Sequence, residues 1–131
     1  MGHHFVPVIL PLATPNNADD KLLALETVMN PHEGQEWDWY RVGGRWDGVI
    51  LGKSEDAGPL NYGEEHEKID NNCTVANLLI KEIDQKNTVI PHFLVTPDGQ
   101  WLRNDNRDRN MYLSVLSEYP DCFVVGVDVH N

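Results

Sequence analysis

Cysteine is scarce in this chain. Cys73 and Cys122 are its only two, far apart in sequence and outside any Cys-x-x-Cys. That removes zinc ribbons, thioredoxin-type redox motifs and a disulfide-stapled scaffold, and both thiols are expected as small buried residues in a reducing compartment. Positive charge is also scarce: ten Lys and Arg stand against 21 Asp and Glu, a net charge of −11. Binding to a nucleic-acid backbone rests on cations that neutralise phosphates, so no such binding is expected. No run approaches the roughly 20 apolar residues that span a bilayer, and no charged leader precedes an apolar stretch. The expectation is therefore no membrane span, no signal peptide and a cytoplasmic location. No His-Glu-x-x-His, phosphate-binding P-loop, Gly-x-Gly-x-x-Gly or Ser-His-Asp order occurs, and no internal repeat.

What is present suffices for one domain. The 131 residues are 40% hydrophobic, enough to bury a core without staples. His4 to Leu10 reads as a first strand. Asn17 caps a helix that opens with Asp19 and Asp20 and carries Leu22, Leu25, Val28 and Met29 on one stripe, stopped by Pro31. Arg45 to Leu51 reads as a second strand, and residues 53–72 as a long polar surface loop. The acids Glu64, Glu65 and Glu67 around His66 in that loop read as a solvated charge run rather than a metal site. Thr74 caps a second helix with Val75, Leu78, Leu79 and Ile83 on one face. Val89 to Arg103 reads as a hairpin turned by Thr96-Pro97-Asp98-Gly99. A polar loop, residues 104–110, leads to a third helix with Tyr112, Val115, Leu116 and Tyr119. With Arg103, this loop holds the only locally basic spot, at Arg107 and Arg109. Cys122 to His130 is a continuous apolar strand, buried on both faces or central. The order β-α-β-α-β-β-α-β predicts a single α+β domain over residues 1–131. The nearest common architecture is a ferredoxin-like sandwich, with a mostly antiparallel sheet and helices on one face.

The chemistry concentrates in residues 30–48, which hold three of the four tryptophans, a Gly-Gly pair and Arg45. Adjacent glycines let a group approach bare N–H donors, a guanidinium adds charge, and indole rings stack on flat ligands. One reading is a pocket for a small anionic, nucleotide-like ligand, held by Gly43, Gly44 and Arg45 with Trp39 or Trp46 stacked on it. The other is a turn or bulge with core tryptophans and Arg45 paired to an acidic neighbour. The chain's two ends carry a second constellation. Asp128 and His130 are two apart on a strand and share a face. If the first and last strands pair antiparallel, His4 comes near them. His4, Asp128 and His130 are then candidate metal ligands, and His130, Asp128 and Arg45 candidate catalytic residues for phosphate-containing substrates. The alternative is that these are terminal histidines with no chemical role.

Several segments together resemble a family of small uncharacterised proteins of bacteriophages and bacteria, many of them actinobacterial. They are His4-Phe5 with Val8-Ile9, Asn30-Pro31 before Trp37-Asp38-Trp39-Tyr40, Val42-Gly43-Gly44-Arg45-Trp46, Val95 through Trp101, and Val127-Asp128-Val129-His130. The likeness runs end to end, with poor matches between the segments. Residues 104–110 depart from the family, which usually carries a glycine- and tryptophan-rich piece there. The resemblance implies a phage or mobile-element setting in a bacterial host's cytoplasm, and it names no reaction or cofactor. Three functions follow as expectations. The first is a non-enzymatic accessory protein that binds a small anionic ligand or a host protein around Trp37–Trp46. The second is a small metal- or His/Asp-dependent enzyme. The third is an acidic inhibitor of a host nucleic-acid-binding protein.

Overall fold

The computed structural model describes residues 2–46, 49–50, 72–84 and 89–131. The expected loop over 53–72 lies outside the described residues except for Asn72. Among them are six strands and three α-helices, in the order β1 (His3–Ile9), α1 (Ala18–Met29), β2 (Trp39–Val42), β3 (Asn72–Thr74), α2 (Val75–Asp84), β4 (Phe93–Val95), β5 (Trp101–Arg103), α3 (Arg109–Ser117) and β6 (Phe123–His130). The α+β class holds, and the sheet is mostly antiparallel.

Local signals explain most of these elements. The Asn17 side chain accepts from the Asp20 N–H at 2.9 Å and so caps α1, whose first turn carries Asp19 and Asp20 against the positive helix end. Thr74 Oγ1 accepts from the Asn77 N–H at the start of α2. Asp108 caps α3 by accepting from the N–H groups of Asn110 and Met111. The Thr96–Gly99 turn closes with Gly99 N–H donating to the Thr96 carbonyl, and Gly99 takes φ +86°, which favours glycine. Beyond the turn, β4 and β5 pair as the expected hairpin.

The sheet runs β2-β6-β1-β4-β5, with β3 also on β6. β1 and β6 pair antiparallel over seven residues, from His3 opposite His130 to Ile9 opposite Val124. β1 and β4 form the one parallel pair among the described strands. The far edge of β6 is shared by two short strands: β2 lies along Val127–His130 and β3 along Phe123–Val125. Among the described residues no helix is long and apolar enough to cross a membrane.

Two features differ from the sequence-based expectation. The helices do not share one face. On one side of the sheet Val6, Val8, Val125, Val127 and Val129 pack against Leu25, Val28 and Met29 of α1. On the other, Phe5, Ile9 and Val124 pack against Val75 and Leu78 of α2 and Tyr112 and Leu116 of α3. The reason is in the central strands, whose side chains alternate but are apolar in both directions, so each face needs a cover. Each fully buried Val or Leu here stabilises the fold by about 1.5–3 kcal/mol. The second difference concerns the expected strand at Arg45–Leu51. Residues 47, 48 and 51 of that stretch lie outside the described residues; the described strand here is Trp39–Val42, and Gly44–Trp46 forms a single 3₁₀ turn. Gly43 and Gly44 have φ +75° and +57°, which ends the strand before Arg45.

Candidate functional site

The site is built where one face of the sheet stops being apolar. Along β6 the residues facing α1 are Phe123, Val125, Val127 and Val129. Those facing the other way are Val124, Gly126, Asp128 and His130, so this face turns polar toward the strand's end. β1 does the same in reverse, with Ile9, Pro7, Phe5 and then His3. Because His3 lies opposite His130, and Trp39 and Arg41 of β2 lie opposite His130 and Asp128, the register brings five side chains to one patch.

Asp128 anchors that patch. It is 1% exposed. Its Oδ1 accepts from His3 Nδ1–H at 2.8 Å, and its Oδ2 accepts from the Arg45 backbone N–H at 3.0 Å. A buried carboxylate without such donors would be strongly destabilising. The Gly-Gly turn exists to make this approach: a Cβ on Gly44 would lie 2.4 Å from Asp128 Cβ and Oδ2. Beside this pair stands a second one. His130 Nδ1–H donates to Asp38 Oδ1 at 2.7 Å, with the Asp38 side chain 58% exposed. The hydrogen bond from His130 holds the Asp38 carboxyl below its usual value. The two imidazoles stand edge to face with centroids 5.2 Å apart. Trp39 stacks on His130 at 4.9 Å and 4° between planes and meets His3 edge-on at 5.3 Å. The Arg41 guanidinium lies over the Trp39 ring at 4.8 Å.

Both rings therefore use Nδ1 to meet a carboxylate. Among the described residues neither Nε2 has a partner. A carboxylate on Nδ1 fixes the tautomer and orients the ring so that Nε2 is the atom left to meet a substrate. Two such rings side by side can take a proton at one Nε2 and give one at the other.

The candidates from sequence fall as follows. Asp128, His130 and Trp39 are in the patch. Arg45 contributes its backbone N–H to Asp128, while its guanidinium is exposed and without an ion pair among the described residues. Of the donors expected to hold an anion at the glycines, the Gly43 N–H is used internally: it donates to the Gly126 carbonyl at 2.9 Å, and the Arg45 N–H next to the pair donates to Asp128. Trp46 packs toward Phe5 at 6.1 Å. His4 is not with Asp128 and His130. It lies opposite Val129 on the α1 side, its ring 5.2 Å from Phe93 and 6.1 Å from His92. A strand sends successive side chains to opposite faces, so the trio His4, Asp128 and His130 does not converge, and His3 takes the expected place. Among the described residues no group of three His, Cys, Asp or Glu side chains is placed to hold a metal ion. Burial lowers the pKa of His4, as do the charges of His92 and Arg107, against a hydrogen bond with Asn131 that raises it.

Sequence reasoning missed His3, Asp38 and Arg41. Asp38 and Arg41 flank the Trp39-Tyr40 pair that drew attention, and a period of two through β2 would have put Trp39 and Arg41 on one face. His3 was findable only by the register of β1 on β6. Comparison with protein-family models, with curated proteins and with solved structures finds no match for this chain.

Proposed function

We propose that the chain is a small His/Asp-dependent enzyme that acts by acid–base chemistry on a phosphate-containing substrate. The observation that supports it is the pair of imidazoles 5.2 Å apart, each bound through Nδ1 to its own carboxylate. In hydrolysis of a phosphate ester, one Nε2 takes a proton from water as the oxygen attacks phosphorus. The other, protonated, Nε2 gives its proton to the leaving oxygen as the bond to phosphorus breaks. The exposed guanidinium of Arg45 is the group to meet the charge that builds on the phosphoryl oxygens. Trp39, stacked on His130 and 36% exposed, offers the surface for a flat substituent such as a base. The Trp37–Tyr40, Gly43–Trp46 and Val127–His130 segments that carry the family resemblance all reach this patch.

A panel of phosphomonoesters, cyclic and linear phosphodiesters and nucleoside phosphates, assayed with wild type, His3→Gln and His130→Gln, tests the reading. Turnover lost in both variants, with the melting temperature retained in His130→Gln, is the expected result. Turnover undiminished in either variant, or no turnover of any substrate, would sink it. A second reading, a non-catalytic receptor for a small anionic ligand, is favoured by the exposed Arg45 guanidinium. Its mark would be a melting shift with a nucleotide, lost in Arg45→Ala, in a protein without turnover.

A further inference from the structure

The basic loop singled out in the sequence has no part in the two His–carboxylate pairs, yet the fold carries it to the same end of the sheet. A hollow of about 60 Å³ opens there, lined by His3, His4, Trp46, His92 and Arg107 together with Phe5 and the Val89–Pro91 segment. Its composition runs against the rest of the molecule. In a chain of net charge −11 it gathers three imidazoles and a guanidinium. Two of the imidazoles have carboxylate neighbours, Asp128 on His3 at 2.8 Å and Asp105 on His92 at 3.5 Å. Among the described residues, His4 and Arg107 have none. Arg107 thus brings to the hollow a positive charge that no carboxylate of the described residues offsets, and a bound anion would offset it.

One further observation points the same way. Arg107 is the one described non-glycine residue with a left-handed backbone, φ +48°, and strained residues of this kind collect where a ligand is held.

We propose that this hollow is an oxyanion subsite that takes a phosphoryl group, with Arg107, His4 and His92 as its donors. It rests on the acid–base reading for its role, because His3 borders both the hollow and the catalytic patch. A phosphoryl group seated here places the atoms attached to it beside His3. The subsite would anchor one phosphate of a substrate carrying more than one, while the neighbouring linkage is cleaved.

Inorganic phosphate and pyrophosphate are the probes, measured by calorimetry and by histidine ring resonances, with chloride matching the ionic strength. Wild type is expected to bind pyrophosphate more tightly than phosphate, and both are expected to move the His4 and His92 resonances. Arg107→Asn removes the charge while tolerating the left-handed backbone, and should weaken binding about tenfold or more. His92→Gln should weaken it as well, and His130→Gln should bind as wild type does. No phosphate-dependent signal in wild type, or equal binding by Arg107→Asn and His92→Gln, would overturn the subsite even if the enzyme turns over. Phosphate binding lost in Arg107→Asn, together with undiminished turnover by His130→Gln, would keep the subsite and remove the acid–base reading instead.

Discussion

The two His–carboxylate pairs use the same atoms at nearly the same distance, 2.8 Å for His3–Asp128 and 2.7 Å for His130–Asp38. Their settings are opposite. The Asp128 side chain is 2% exposed and holds a second donor, the Arg45 N–H. The Asp38 side chain is 58% exposed and stands in water. Water screens and replaces an exposed ion pair at little cost, while a buried acceptor that loses its donor keeps its full desolvation penalty. One geometry thus does two jobs. The buried pair ties β1, β6 and the Gly-Gly turn together and also orients an imidazole, whereas the exposed pair only orients one.

Substitutions should separate these jobs. The largest effect belongs to Gly44→Ala, which meets Asp128 at 2.4 Å with a backbone that disfavours any side chain. Left-handed strain and overpacking together predict a loss of about 2–5 kcal/mol in urea melts. A Gly44→Ala protein as stable as wild type would mean that the turn does not close on Asp128. Next comes Asp128→Asn, which turns an acceptor into a mixed group facing two donors. It should cost about 1–3 kcal/mol and lower turnover by on the order of 10²–10⁴-fold by disturbing the His3 tautomer. Asp38→Asn should leave the melt near that of wild type while reducing turnover less than Asp128→Asn does. Equal melting losses from the two asparagines would erase the contrast between the pairs.

Acid titration sharpens the exposed pair. Asp38 is held below the usual 3.8, chiefly by the His130 hydrogen bond. A carboxyl depressed in the folded state contributes stability above its unfolded value and loses that contribution as pH falls through the folded one. Any difference between wild-type and Asp38→Asn melts should therefore persist from neutral pH to about 4 and vanish below. Carboxyl resonances followed through the titration would show the Asp38 midpoint directly, and a midpoint at or above 3.8 would contradict the bond.

The smallest effects concern two half-buried groups away from the imidazoles, and Cys73 is not the fully buried thiol that the sequence suggests. Burial pushes the Cys73 thiol up to about 11 and the Tyr40 phenol to about 12. Alkylation of Cys73 by iodoacetamide should be slow at pH 8 and quicken only toward pH 11. Fast reaction at pH 8 would place the thiol in water.

Much of the scaffold was legible in the chain because its signals are local. Asn17 before Asp19-Asp20, Thr74 before Val75, and the Thr96–Gly99 turn each act within a few residues, and each stands where the sequence placed it. The antiparallel pairing of first and last strands, only a condition in the sequence reading, is met. The site was half legible. A period of two on one strand, or composition, points to Asp128, His130 and Trp39, but the expected third partner is His4 where the fold uses His3. The glycine pair suggests donors for a ligand, whereas its turn wraps an internal carboxylate.

By itself, then, the amino-acid order determined the α+β class, the helix starts, the hairpin turn and the two short runs of polar residues at the strand ends. Tertiary structure alone decided which of His3 and His4 faces Asp128, because a shift of one residue in register sends every side chain to the other face. It also decided that helices cover both faces, and that Asp38 and the basic residue Arg107 reach the same end of the sheet. Those placements depend on contacts between residues as far apart as His3 and Asp128, which no local spacing can encode.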